Sequence, residues 1–286
     1  MSLKSKLGSG DFAILAEIEP PKGVDVSKMI NNAVRVKGKV DAFVVNEMSN
    51  AVMKMSSLGG AMLLNSQGME TVMQICCRDR NRLALQADIL AAFACGIKNI
   101  MIITGADASF GDHHQTKAVY DLNLIELLNV VQTLCSGRDM ADIELDKAPD
   151  FVVGSTVNAS LQGDLLLGEI DKMNEKIEAG TEFFITPPVF SLNSIEPFMK
   201  AVDCKKIRII PTVLLLKSAG MARYINRNLE NVNISEDLIK QIQKAPDKMS
   251  ASIQIAREMI GDLKKEEFCG VHISTIGWEH KLSKII

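Results

Sequence analysis

Eight times along the chain a short β-branched or apolar run is followed by a longer stretch with helical periodicity. This alternation constrains the fold most, because repeated βα units build a parallel sheet covered on both faces. The strand segments are Ala13 to Glu19, Asp41 to Asn46, Val72 to Cys76, Asn99 to Thr104, Phe151 to Asn158, Glu182 to Thr186, Ile207 to Val213 and Gly270 to Thr275. Their nearly continuous apolar character is that of strands buried on both sides. Helical periodicity runs over Val26 to Val36, Arg82 to Ala94, Leu122 to Cys135, Leu166 to Ala179, Ser194 to Val202, a two-part segment from Gly220 to Ala245, and Lys248 to Leu263. Gly38, Gly96 and Gly180 close three of these runs where a left-handed cap is wanted. Pro246 parts the last two, since proline cannot continue an interior helical ladder. No linker or low-complexity stretch divides the units. The expectation is an α/β protein, one (β/α)8 TIM barrel spanning residues 1–286, in preference to an open doubly wound sheet.

A barrel carries its chemistry on the C-terminal tips of its strands. The polar residues there are Glu17 and Glu19, Asn46, Gln74, Thr104 to Asp107, Thr156, Asn158, Thr186, Thr212, Thr275 and Trp278. The longest loops run from Glu47 to Met69 and from Gly105 to Asp121, and loops of such length are often functional. One of Glu17 and Glu19 is expected to face the mouth. In an apolar setting its pKa would rise, which suits a general acid, while a salt bridge is the plainer alternative. Pro20-Pro21 would hold the next loop stiffly beside it. Gly105 would let the backbone approach a ligand, or simply make the turn.

Other classes fall away. Asp107, Asp112, His113 and His114 lack metal-ligand spacing and read as a solvated loop, so no metal is expected. No dinucleotide fingerprint, phosphate loop or nucleophile elbow occurs. The net charge of −3 includes no basic stripe, which argues against nucleic acid. No apolar run is long enough for a bilayer and no leader is evident, so a cytoplasmic address is expected. The six cysteines form no CxxC and read as reduced, mostly buried thiols, with Cys76 and Cys77 on opposite faces of a strand.

Four stretches carry a family resemblance. Ala16-Glu17-Ile18-Glu19-Pro20-Pro21 resembles the first-strand E-x-x-P-P motif of methylenetetrahydrofolate reductases. Gln74 to Arg82 is similar to the T-x-R-D-R-N segment of their short bacterial members. Thr104-Gly105, Gly111-Asp112 and Val119 to Leu122 resemble the fourth-strand loop that surrounds the flavin. Glu178-Ala179-Gly180 and Phe184 to Phe190 resemble a later segment ending T-Q-P-V-[FY], and the ordered match extends from Glu17 to Trp278.

The resemblance implies a barrel with a noncovalent flavin across its strand ends, FAD with FMN as the alternative. It makes Glu17 the general acid that protonates the folate. It sets the isoalloxazine against Gln74, Thr104, Gly105 and Ala106, flanks the cofactor with Asn46, Tyr120 and Asp121, and gives its ribityl, phosphate and adenosine parts to Thr156, Asn158, Glu169 and Lys176. Folate would meet Glu17, Asp107, Thr186 and Trp278.

The chain departs from the pattern in three places. Gly105-Ala106-Asp107 stands for Gly-Asp, Thr186-Pro187 for Thr-Gln, and the stretch Ser274-Thr275-Ile276-Gly277-Trp278-Glu279 for an Asn-Arg pair. Trp278, the only tryptophan, would stack on a pterin or aminobenzoyl ring, or plug the barrel. The implied reaction is reduction of 5,10-methylenetetrahydrofolate to 5-methyltetrahydrofolate, or its reverse. NAD(P)H or an electron-donating partner protein would supply the electrons, and the chain would act as a homo-oligomer or a complex subunit. The alternatives are a tetrahydrofolate-dependent methyltransferase working with a corrinoid protein, and a non-catalytic folate- or flavin-binding subunit.

Overall fold

The computed structural model describes residues 1–203, 206–229 and 232–286. Cys204, one of the thiols expected to be reduced, lies outside them.

Eight parallel strands close a barrel in chain order. They are β1 (Ala13–Ile18), β2 (Ala42–Val45), β3 (Thr71–Cys76), β4 (Asn99–Ile103), β5 (Val152–Thr156), β6 (Phe183–Pro188), β7 (Arg208–Leu214) and β8 (Gly270–Ser274). The last pairs with the first, Ala16 opposite Ile273. Around them lie α1 (Leu3–Ser9), α2 (Ser27–Val34), α3 (Ser57–Ser66), α4 (Arg82–Ala94), α5 (Leu124–Cys135), α6 (Gly163–Glu178), α7 (Glu196–Ala201), α8 (Ala219–Asn228), α9 (Glu236–Lys244), α10 (Lys248–Lys265) and α11 (Leu282–Ile285).

Side chains alternate across each strand, which sorts the core into two layers. Leu15, Val44, Val72, Met101, Val152, Phe183 and Ile210 pack inside the barrel. Ala16, Val45, Met73, Ile102, Val153, Phe184 and Val213 pack outward against the helices. Cys76 belongs to the inner cluster and Cys77 to the outer, as the alternation requires. The N-terminal end is plugged by α1, whose Leu3 and Leu7 join the inner cluster. With the floor filled, a ligand can enter the barrel only at the strands' C-terminal ends.

Three of the described helices escape the periodicity reading. Two are the terminal α1 and α11; the third is α3, which lies within the expected loop from Glu47 to Met69. Strand β6 also runs past Thr186 to Pro188, with a register shift between Ile185 and Pro188 where the prolines withhold ladder donors. Among the described residues no helix is long and apolar enough to cross a membrane.

Candidate active site

Glu17 is in phase with Ala13 and Leu15, so it points into the barrel one layer above Leu15. The register of β1 on β8 brings it beside Ser274, whose hydroxyl donates to Glu17 Oε1 at 2.9 Å. Burial pushes the Glu17 carboxyl above the usual carboxylate range. Hydrogen bonds from Asn46 and Ser274 work against that rise, and the negative charges of Glu19 and Glu279 add to it. Glu19 would share this inward face if β1 continued. The strand instead ends at Ile18, and Glu19 forms an ion pair with Lys54. One carboxylate therefore faces the mouth, as expected, and it does so because the strand stops short of Glu19.

From Glu17 the inward tips continue around the barrel. Asn46 is buried, and its Oδ1 has no partner among the described residues. The Gln74 side-chain oxygen accepts from the Glu47 backbone N–H at 3.2 Å. Cys76 donates to the Thr104 carbonyl at 3.2 Å, and burial pushes its thiol up to about 11, so it stays a neutral filler. Thr104 is exposed, and Gly105 follows at φ +89°. The Asp107 carboxylate is committed to its own turn, accepting from the Ser109 amide at 2.8 Å and hydroxyl at 2.7 Å. Tyr120 is 44% exposed, and Asp121 pairs with Arg82 at 2.9 Å. The Asp112 carboxylate bonds Lys22, His113 and the Met53 amide, joining three loops.

On the far side Thr156 exposes its side chain at the β5 tip while its carbonyl accepts from Lys176 Nζ at 2.7 Å. Lys176 is buried, which lowers its pKa, and one of its three donors is used on this bond. Glu169 accepts from the Asn158 amide at 2.9 Å. Both side chains thus hold the β5 loop. The Thr186 hydroxyl donates to the Pro187 carbonyl at 2.7 Å, and Thr212 Oγ1 donates to the Thr186 carbonyl at 2.5 Å. With its proton so placed, Thr212 Oγ1 must accept from His272 Nδ1, 3.0 Å away. His272 is then neutral with a bare Nε2, which has no partner, and burial takes its pKa down to about 4. Over the Trp278 ring lies Lys217 Nζ, 4.9 Å from the centroid and bonded to the Ile276 carbonyl.

Three charged residues organise the mouth without having been singled out one by one from sequence. Arg78, 2% exposed, bonds Asp79 through Nε and Nη2, the Ala106 carbonyl at 2.8 Å and the Met48 carbonyl at 3.1 Å. Glu47 is fully buried, accepting from the Ser57 amide at 2.6 Å and from Arg80 at 2.5 Å. The available signal was their place immediately beyond apolar strands, where a charge must find a partner.

The structure thus brings Glu17, Asn46, Gln74, Thr104, Gly105, Ala106, Thr156 and Thr186 onto one ring of strand tips, with Trp278 just beyond β8. Exposed Thr104 and Thr156 and the unpartnered Asn46 amide oxygen suit a planar ligand with a polar edge. A flavin fits such a rim. Asp107 is engaged with its own turn, Asp121 with Arg82, and Glu169 and Lys176 with the end of β5 and its loop. Among the described residues no three His, Cys, Asp or Glu side chains gather as metal ligands would.

The family model described as Methylenetetrahydrofolate reductase matches residues 2–286. No curated protein sequence matches the chain. Among solved structures, EDTA monooxygenase (EmoA) from Chelativorans sp. BNC1 is similar at a TM-score of 0.58 and 10% identity, over 96% of this chain and 92% of that one. The 2,3-dimethylmalate lyase, a PEP mutase/isocitrate lyase superfamily member, gives a TM-score of 0.52 at 10% identity, over 95% of this chain and 76% of that one. At such identities the likeness is one of fold.

Proposed function

The chain belongs to the methylenetetrahydrofolate reductase family, and we propose that it reduces 5,10-methylenetetrahydrofolate to 5-methyltetrahydrofolate, or runs the reverse oxidation. The observation that carries this reading is Glu17, an inward carboxyl whose raised pKa keeps a proton available at the mouth. Opening the methylene bridge breaks a C–N bond and leaves a nitrogen that needs a proton. Glu17 delivers it, and Ser274 fixes the orientation of the carboxyl through Oε1.

A bound flavin, FAD or FMN, would supply the hydride. Asn46, Gln74, Thr104, Gly105 and Ala106 would hold its ring, with Tyr120 and Asp121 at its flank. Thr156, Asn158, Glu169 and Lys176 would lie along its tail. Thr186, Asp107 and Trp278 would bound the folate. The donor would be NAD(P)H or a partner protein docked at the mouth.

The test is an absorption spectrum of the purified protein followed by anaerobic titration with 5-methyltetrahydrofolate. A flavin band that bleaches supports the reading, and a protein that neither carries nor takes up flavin refutes it. Methyl exchange with cobalamin in the absence of flavin would instead mark a methyltransferase.

A further inference from the structure

Six buried side-chain polar atoms among the described residues lack a hydrogen bond. Two of them, Asn46 Oδ1 just past β2 and His272 Nε2 in β8, are on inward-facing residues on either side of the β1 strand that carries Glu17. Both are acceptors: the first is an amide oxygen, and the second is a lone pair because Nδ1 carries the proton.

A third unmet acceptor stands close by. Glu279 opens the turn Glu279–Lys281 that follows β8 and is 8% exposed. Its carboxylate makes no hydrogen bond or ion pair with any described residue, yet its charge acts on both Glu17 and Lys217. Its oxygens are not among the sealed atoms, so the carboxylate is open to the donors of a ligand. The arc from β8 through β1 to β2 is thus rich in acceptors. Across the mouth, where the resembled pattern places an acid and a glutamine, Ala106 and Pro187 offer no side-chain acceptor.

We propose that Glu279 is a substrate-binding residue that takes the donor edge of a reduced pterin, its 2-amino group and adjacent ring N–H, as a bidentate pair. This rests on the folate reading. A 2-aminopyrimidinone edge presents two parallel N–H donors, the arrangement a carboxylate accepts best. The pterin's polar edge then lies toward β8 and β1, away from Ala106 and Pro187.

The experiment is anaerobic titration of the holoenzyme with 5-methyltetrahydrofolate, following flavin bleaching, for wild type, Glu279→Gln and Glu279→Asp. The half-saturating concentration should rise about tenfold or more in Glu279→Gln and by less in Glu279→Asp, while dithionite reduces the flavin of all three alike. The pH dependence of bleaching checks separately that the Glu279 charge reaches Glu17. The charges near Glu17 are Glu279, Glu19, which Lys54 neutralises, and Lys217, which faces Glu279. Removing the Glu279 charge should therefore shift the Glu17 limb to lower pH. Unchanged half-saturation in Glu279→Gln overturns the inference alone, whether or not the limb moves. A wild-type flavin that methyltetrahydrofolate fails to bleach overturns the folate reading and the inference with it.

Discussion

Replacing Gly105 by alanine disturbs the site from beneath. Gly105 sits at φ +89°, and a Cβ built on it would lie 2.2 Å from Cys76 Sγ and 3.4 Å from Arg78 Cβ. Alanine in left-handed backbone costs about 1–2 kcal/mol, and overpacking a filled interior adds about 1–3 kcal/mol. The sulfur cannot swing aside freely. Cys76 is fully buried, donates to the Thr104 carbonyl and accepts from the Arg78 amide at 3.4 Å. Gly105→Ala alone should therefore cost about 2–5 kcal/mol, and Cys76→Ala about 1–2 kcal/mol for the lost sulfur and its bonds. In the double variant the new methyl enters the space the sulfur left, so the pair should cost about 1–3 kcal/mol less than the sum. Urea unfolding at one pH, with the four m-values compared, measures this cycle. Additivity to within about 0.5 kcal/mol would refute the claim that sulfur and glycine are fitted to each other.

Three further outcomes follow from the same geometry. Glu17 has a raised pKa, so the folded state holds a proton that the unfolded chain has released. Its contribution to stability is complete below the unfolded value and is lost as pH rises through the folded one. Glu17→Gln should accordingly be more stable than wild type at pH 8 and no more stable near pH 4, while folate turnover falls by about 10²–10⁴; a variant destabilised at pH 8 would contradict this. His272 shows the opposite sign: its pKa is lowered from 6.5 to about 4, so stability is full above 6.5 and is lost as pH falls toward 4. The loss is bounded at about 3 kcal/mol, and His272→Gln should flatten the acid side of a pH-stability curve, whereas an unchanged slope would show that another group titrates there. Asp112 ties three mouth loops, so Asp112→Asn should speed tryptic cleavage after Lys117 with little change in melting temperature, and equal cleavage rates would mean that the latch holds nothing.

The barrel was legible because parallel strands buried on both faces leave apolar runs that punctuation can delimit, and Glu17 was legible as one of two strand-tip carboxylates, singled out by the resemblance of its motif. Helix α3 was not. Its Gly59 and Gly60 depress helix propensity, and Gly60 is there because a Cβ would stand 3.0 Å from Val45 and 3.1 Å from Pro20. Tertiary packing chose that residue against the local signal. The Glu47–Arg80 and Arg78–Ala106 contacts were hidden differently: their partners lie 33 and 28 residues apart and meet only because neighbouring strands end side by side. Lys176 and Glu169 show a third limit. Residue type marks them as fit for a phosphate or a ribose, but not that loop backbone has already taken part of their bonding capacity.

The mouth loops also hold residues that local sequence would never choose for their backbone. Of six non-glycine residues with positive φ among the described residues, Met48, Ala51, Tyr120 and Ile276 lie in these loops. Each such conformation costs about 1–2 kcal/mol and persists only where its surroundings over-determine it. The surroundings here are long cations reaching from neighbouring strands. Arg78 binds the Met48 carbonyl, and its own carbonyl accepts the Val119 amide next to Tyr120, while Lys217 binds the Ile276 carbonyl. Arg78 and Lys217 therefore act as braces that keep strained loops shaped around Glu17. The strain they offset is what a site needs if its walls are to be set before the ligand arrives.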